Sequence, residues 1–272
     1  MLEDKRIAFV GSGNMGEAMI RAAIDRLQLA GDQVVASDID AARGQALEGR
    51  YGIQTTTSNA AAVEGADLVV LAVKPQVLPA VLDDLDGQIP PQAAVLSIVT
   101  GATLGTLVEG LRHQAVIRSM PNTPAQIGEG MTVWVATAET TAAQREQVQA
   151  LLQAMGQEVR VQEEKYLDMA TAVSGSGPAY VFLFLEAMVD AAVYLGFSRP
   201  VGRQLALQTV IGAARYAAES EHDLAELRNM VTTPGGTTAE ALYAMERGRL
   251  RATVLEGIRA AYEKSQRLAA QK

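Results

Sequence analysis

The amino-acid sequence predicts an α/β protein in two parts: a mainly parallel, helix-flanked sheet, then an all-helical region. Three features lead there. Short β-rich runs alternate with helical stretches as far as Gln162, strands cease after Glu163, and a glycine triplet marks the first strand-to-helix turn.

Residues 5–10, 33–37, 67–73, 94–99 and 115–118 read as buried strands, because each is a short apolar run bounded by polar or glycine-containing turns. Residues 15–29, 76–85 and 103–111 read as the helices between them. That alternation indicates βαβ units and parallel pairing. Residues 130–137 and 159–162 add two strands around a helix at 141–155, at the far edge of the sheet. Beyond Glu163, segments 165–172, 178–195, 200–220, 223–230, 238–247 and 249–269 all read as helices. Pro178 and Pro200 fall where proline suits a first helical turn, and Gly196 suits a helix stop. The resulting division is 1–163 for the sheet domain and 164–272 for the helical one. Val181, Phe182, Leu183, Phe184 and Leu185, with Met188 and Val189, make one helix apolar on more than one face. So small a domain cannot bury that surface alone, which points to an oligomer built through these helices.

Composition narrows the function. At 272 residues the chain has room for two domains and a sizeable core. Net charge is -8 without a Lys/Arg cluster, which argues against a nucleic-acid partner. The absence of cysteine removes disulfides, thiol catalysis and Cys-bound zinc. With only His113 and His222 as histidines, no metal site is expected. The opening residues run straight into a strand without a signal peptide. Residues 179–195, the longest apolar helix, carry Glu186 and Asp190 and look too interrupted to span a bilayer. The expectation is a soluble, cytoplasmic protein with no membrane partner.

Gly11-Ser12-Gly13-Asn14-Met15-Gly16 matches G-x-G-x-x-G between the first strand and the first helix. The first glycine makes the tight turn, the second admits a pyrophosphate, and the third packs helix on strand. Asp38 follows at the end of the second strand, where a carboxylate accepts hydrogen bonds from a ribose 2′-hydroxyl and repels a 2′-phosphate. Taken alone it favours NAD over NADP; Ser37 and Arg43 beside it soften that preference, and Asp38 reads equally as an exposed turn residue. Ala72, Val73, Lys74 and Pro75 end another strand, and ligands of open α/β sheets lie outside such carboxyl ends. Asn59, Thr100 and the turn Met120-Pro-Asn-Thr-Pro124 follow the same logic, the paired prolines suiting a stiff wall against a nicotinamide ring. Ser174-Gly-Ser-Gly-Pro-Ala179 is either a plain loop before a helix or a close approach of backbone to ligand.

Near the C-terminal end, Val231-Thr-Thr-Pro-Gly235-Gly236-Thr237-Thr238-Ala-Glu240 leads two glycines into a helix whose first turn bears two hydroxyls. Free N–H groups, the helix dipole and flexible backbone make a cradle for a carboxylate. Thr237-Thr238-Ala-Glu240 also reads as a capping box, which explains one threonine and the glutamate but not the glycines. Glu221 and His222 precede the motif by a short helix, and His222 is given no role.

Taken together these residues resemble pyrroline-5-carboxylate reductase along essentially the full chain. The resemblance rests on Gly11 to Gly16, Ala72-Val-Lys-Pro-Gln76, Arg118-Ser-Met-Pro-Asn-Thr-Pro124, Ser174-Gly-Ser-Gly-Pro-Ala-Tyr180 and Val231-Thr-Thr-Pro-Gly-Gly-Thr-Thr238, the last three being the specific ones. It implies a Rossmann dinucleotide-binding domain, and a helical domain that interlocks with a partner's into a homodimer. In some members five such dimers form a decamer. It implies reduction of 1-pyrroline-5-carboxylate to L-proline by NADPH or NADH. By the family pattern Thr238 donates a hydrogen bond to the ring nitrogen. Backbone N–H groups at Gly236 and Thr237, after Gly235, hold the carboxylate, and Glu221 matches the acid beside that pocket. Ser12, Gly13, Asn14, Met15, Asn59, Ala72, Val73, Lys74, Pro75 and Thr100 match cofactor contacts. Asp38-Ile39 departs from the small polar residue, sometimes followed by arginine, of many members, so the preference between NADPH and NADH stays open.

Two other functions fit parts of the sequence. A 3-hydroxyacid dehydrogenase-like enzyme needs a lysine base in the helical domain, yet Lys165 is the only lysine between Lys74 and Lys264. A non-catalytic dinucleotide sensor needs the cleft but no hydroxyl-bearing anion cradle.

Overall fold

The structure, a computed structural model, describes Leu2 and residues 4–270. β1 (Ile7–Val10) leads into α1 (Asn14–Arg21), which continues as a π-helical turn, Ala22–Arg26. There follow β2 (Val34–Ser37), α2 (Ala41–Tyr51), β3 (Gln54–Thr56), α3 (Asn59–Val63), β4 (Leu68–Leu71) and α4 (Leu78–Leu85). Next come β5 (Ala94–Ser97), α5 (Leu104–Leu111), β6 (Val116–Met120), β7 (Gly130–Ala136), α6 (Ala142–Gln153), β8 (Gly156–Arg160) and α7 (Lys165–Ala170). Among the described residues these strands form one 8-stranded sheet, ordered β3-β2-β1-β4-β5-β6-β7-β8. All neighbours are parallel except β6 and β7.

Side chains alternate across the pleat, so one strand feeds two cores. Ile7, Phe9, Leu68, Val70, Leu96 and Trp134 point to one face, where Met19, Ile20 and Leu151 cover them. Ala8, Val10, Val69, Leu71 and Val95 point to the other, under Leu78, Leu82, Leu107 and Leu111. Burying each large apolar side chain is worth roughly 1.5–3 kcal/mol, which makes this two-faced burial the main stabilising force. At the opposite end from the crevice, Asp67 ties β1 to β4, accepting from Lys5 Nζ and Arg6 N, both at 2.9 Å. Arg118 on β6 is buried and donates to Glu164 Oε1 at 2.8 Å, and the same oxygen accepts from Leu104 N at 2.7 Å. That charge-assisted pair fixes the start of α5 against the end of β6.

Several expectations shift. Residues 41–63 carry α2, β3 and α3, which periodicity did not reveal, because β3 is three polar residues on the sheet's edge. The helix expected at 15–29 is α-helical only to Arg21 before its π turn. The last strand begins at Gly156 rather than at residue 159. Gly156 has φ +139 and lies opposite Gly130; a Cβ there would meet Gly130 O at 2.2 Å. Only glycine admits that approach, and Val159 is the strand's one large apolar residue, with Glu158 accepting from Trp134 Nε1 at 2.5 Å.

Contacts divide the chain into two units: one holds the residues up to Ser176 and again from Ala261, the other is Gly177–Ala260. α8 (Gly177–Tyr194) and α9 (Arg199–Glu219) pack together, joined by a turn at Gly196 with φ +107. Gly202 makes this packing close, since a Cβ there would lie 3.0 Å from Ala192 Cβ. α10 (Leu224–Met230), α11 (Thr237–Arg247) and α12 (Leu250–Ala270) follow. Residues 179–195 taken alone look too interrupted for a bilayer, but the helical run Lys165–Tyr194 corrects that. Its 30 residues are long and apolar enough to cross a membrane by length and composition, because the run supplies a longer apolar window than the segment itself.

Candidate active site

The strand order reverses between β1 and β4, and open α/β sheets take ligands in the crevice at the carboxyl ends there. Gly11 leaves β1 with φ +89, and a Cβ on it would lie 2.7 Å from Val73 Cγ1 and 2.9 Å from Ala72 O. Glycine therefore lets the loop 11–16 lie against the loop after β4. Gly16 is equally constrained, its would-be Cβ meeting Gly11 O at 2.5 Å, which brings α1 down on β1. Gly13 faces open space, with no atom within 4 Å of a Cβ, and it caps α1 without a side chain. The first N–H groups of α1, at Asn14 and Met15, thus stand beside unobstructed backbone. This geometry fits a pyrophosphate. Ala72, Val73 and Pro75 are half-buried and Lys74 is exposed along the same rim.

At the end of β2, Asp38 turns back on the glycine loop. Its Oδ2 accepts from Ser12 Oγ at 2.7 Å and Ser12 N at 3.0 Å, and its Oδ1 accepts from Asp40 N at 3.1 Å. Burial pushes the carboxyl up, but the bonds from Ser12 and Asp40 and the nearby Arg43 charge outweigh it, leaving the pKa below its ordinary value. Asp38 is therefore an anionic anchor for the glycine loop. Arg43 is held too, donating through Nε to Ser12 O at 2.6 Å and through Nη2 to Glu17 Oε2 at 2.7 Å. Ser37 Oγ donates to Asn59 Oδ1 at 2.7 Å, joining those two residues. Thr100 lies after β5, its Oγ1 4.0 Å from Met120 Sδ. Ser12, Ser37, Asp38, Asn59, Ala72 to Pro75 and Thr100 thus all lie at or just after the carboxyl ends of β1, β2, β3, β4 and β5.

Ser174 and Gly175 close a second π turn, Thr171–Gly175, so the stretch is not a plain loop. Asn122, overlooked in the sequence except as part of its turn, donates through Nδ2 to Ser174 O at 3.0 Å and accepts from Met131 N at 2.9 Å. The signal was present: Pro178 stands four residues after Ser174 and has no N–H to offer its carbonyl.

In the second unit, Thr233 to Gly236 form a turn in which Gly236 N donates to Thr233 O at 3.0 Å. Pro234 and Gly235, the latter with φ +68, take the two central positions, the residues such a turn demands. Gly236 is the N-cap of α11, and no side chain caps it. This corrects the capping box expected at Thr237 to Glu240: the turn starts the helix one residue earlier, so Thr237 is already helical. The first turn of α11 keeps its N–H groups and two hydroxyls available, with Thr238 half-buried and Thr237 exposed. Glu221 is exposed between α9 and α10, and His222 Nδ1 lies 3.4 Å from Glu226 Oε2. Among the described residues no group of three or more His, Cys, Asp or Glu gathers to hold a metal ion.

Comparison with known proteins bears on both units. Residues 164–268 match the family model described as pyrroline-5-carboxylate reductase dimerisation, and residues 6–101 match the model described as NADP oxidoreductase coenzyme F420-dependent. A pyrroline-5-carboxylate reductase of Pseudomonas aeruginosa is 41% identical over 98% of this chain and 97% of that protein. The solved structure of a pyrroline-5-carboxylate reductase from Coxiella burnetii superposes with a TM-score of 0.91 at 32% identity, covering 97% of this chain and 98% of that one. That of Plasmodium falciparum pyrroline carboxylate reductase with NADP bound gives 0.89 at 29% identity, covering 98% and 99%.

Proposed function

The chain belongs to the pyrroline-5-carboxylate reductase family, and on that premise we propose which of its residues carry the reaction. It is an oxidoreductase that reduces 1-pyrroline-5-carboxylate to L-proline, the last step of proline biosynthesis. Bound NAD(P)H supplies the hydride. The protein's own work is to bind, orient and exclude competing geometries.

Gly11, Gly13 and Gly16 bring backbone to the pyrophosphate, with Ser12, Asn14 and Met15 lining it. Ser37, Asp38 and Asn59 lie at the adenosine ribose. Ala72, Val73, Lys74, Pro75 and Thr100 run along the rest of the cofactor. Asp38, anionic and anchored on Ser12, disfavours a 2′-phosphate, so NADH is the preferred donor. With the Gly236 N–H committed to Thr233 O, the N–H groups at Thr237 and Thr238 take the substrate carboxylate in place of the Gly236–Thr237 pair expected from the sequence, and Glu221 borders that pocket. The Thr238 hydroxyl donates to the ring nitrogen. Hydride reaching the carbon of the neutral imine leaves the nitrogen needing a proton, so the Thr238 hydroxyl orients the ring and stands where that proton arrives from solvent.

The observation that carries these assignments is the uncapped start of α11, where a left-handed Gly235 and a side-chain-free Gly236 precede two threonines. The dimerisation model over 164–268 supports a homo-oligomer. We extend this to a homodimer through the helical domain, assembling as a pentamer of dimers in the cytoplasm. The exposed apolar faces of α8 are then covered by a second copy rather than by lipid. Oxidation of NADPH and of NADH, each with pyrroline-5-carboxylate, is the test. Turnover with neither ends the assignment, and a large NADPH advantage ends the role given to Asp38.

A further inference from the structure

We propose that Asn122 is a positioning residue whose side-chain amide locks the turn after β6 onto the Ser174 carbonyl, setting the wall along the nicotinamide end of the crevice. This role rests on the dinucleotide site described above. In an α-helix a carbonyl accepts from the N–H four residues on. For Ser174 that residue is Pro178, which has no N–H. A shielded carbonyl left without a partner is destabilising. Asn122 Nδ2 takes the missing donor's place at 3.0 Å.

The other end of the same amide is also committed, Oδ1 accepting from Met131 N at 2.9 Å at the start of β7. Both bonds fix which way the amide faces, since a flipped group would set oxygen against oxygen. A second contact joins the same two segments. Gly175 lies so close to Met120 that a Cβ on it would sit 3.0 Å from Met120 Cε, and Met120 Sδ lies 4.0 Å from Thr100 Oγ1. Thr100, Met120, Asn122, Ser174 and Gly175 therefore form one connected patch after β5 and β6. Its floor is a π turn, a distortion that recurs at functional sites.

Asn122→Asp tests the proposal, because it keeps the acceptor for Met131 N and removes the donor to Ser174. We expect kcat to fall roughly ten- to a hundredfold, the range that follows a small misplacement of reacting atoms. The deuterium isotope effect with 4-deuterated NADH should rise, and amide exchange should quicken across 171–176 while Met131 stays protected. Adding Pro178→Ala returns an N–H four residues after Ser174 without rebuilding the link to the turn after β6, so slow exchange should recover while kcat stays low. Unchanged kcat and isotope effect in Asn122→Asp overturn the proposal. So does a loss of activity with an unaltered isotope effect, since that marks only a smaller folded fraction, and so does a kcat that Pro178→Ala fully restores, since the link to the turn after β6 is then dispensable. Should the wild-type chain reduce no pyrroline-5-carboxylate, the proposed function fails, while the exchange measurements still decide whether Asn122 holds the π turn.

Discussion

The two units treat their apolar residues differently. In the sheet unit Ile7, Phe9 and Leu96 are 0% exposed and Trp134 is 1% exposed, with helices closed over both faces. In Gly177–Ala260, Phe182 is 61%, Leu183 69% and Tyr194 92% exposed, and within α8 and α9 only Val189, Gly202 and Ala206 are buried. The cofactor half is thus assembled by a single chain. The helical half leaves most of its hydrophobic driving force unspent until a second copy arrives.

That contrast breaks first if the helical face proves dispensable. Phe182→Glu combined with Leu183→Glu should leave monomers, because each buried apolar side chain contributes roughly 1.5–3 kcal/mol and the new carboxylates resist burial. Sedimentation should then report a single 28.8 kDa chain that still binds NADH through its intact sheet unit. An unchanged oligomer would show that this face meets solvent in the assembly. Next in size, Thr238→Ala should lower turnover about tenfold or more while cofactor affinity holds. Steady-state constants equal to wild type would remove Thr238 from the site.

On the sheet side the effects are smaller. Asp38→Ser should shift the ratio of kcat/KM for NADPH over NADH several-fold upward, and a fixed ratio would sever Asp38 from cofactor choice. The smallest effect is on acid stability. Asp38 has a pKa below its ordinary 3.8 in the folded chain, so its contribution is complete above that value and fades as pH falls through the lower one. Asp38→Asn lacks that contribution at neutral pH and should lose stability less steeply on acidification, as followed by circular dichroism. Equal slopes would mean that the bonds from Ser12 do not favour the ionised form.

Much of this was legible in the sequence, for reasons that differ by element. The buried strands announce themselves because parallel strands covered on both faces are continuous apolar runs, as at Leu68–Leu71. The glycine loop was legible because three glycines at fixed spacing have three separate steric duties. Gln54–Thr56 was not, since a short polar edge strand is held by its neighbour β2 rather than by its own periodicity. The start of α11 was misplaced by one residue because the Thr233 to Gly236 turn, and not a threonine side chain, decides it. The Ser12–Asp38 and Asn122–Ser174 bonds link residues 26 and 52 positions apart, a separation at which no local pattern operates.

The sheet margins carry a last consequence. On one side stands a three-residue strand of glutamine and threonines, and on the other a strand bearing Glu158 and Arg160 whose entry at Gly156 tolerates no side chain. Neither offers a flat, apolar template for another molecule's backbone. With strand addition disfavoured at both margins, the exposed helical faces are the surface left for joining copies, and an interface of that kind favours a closed particle over a fibre.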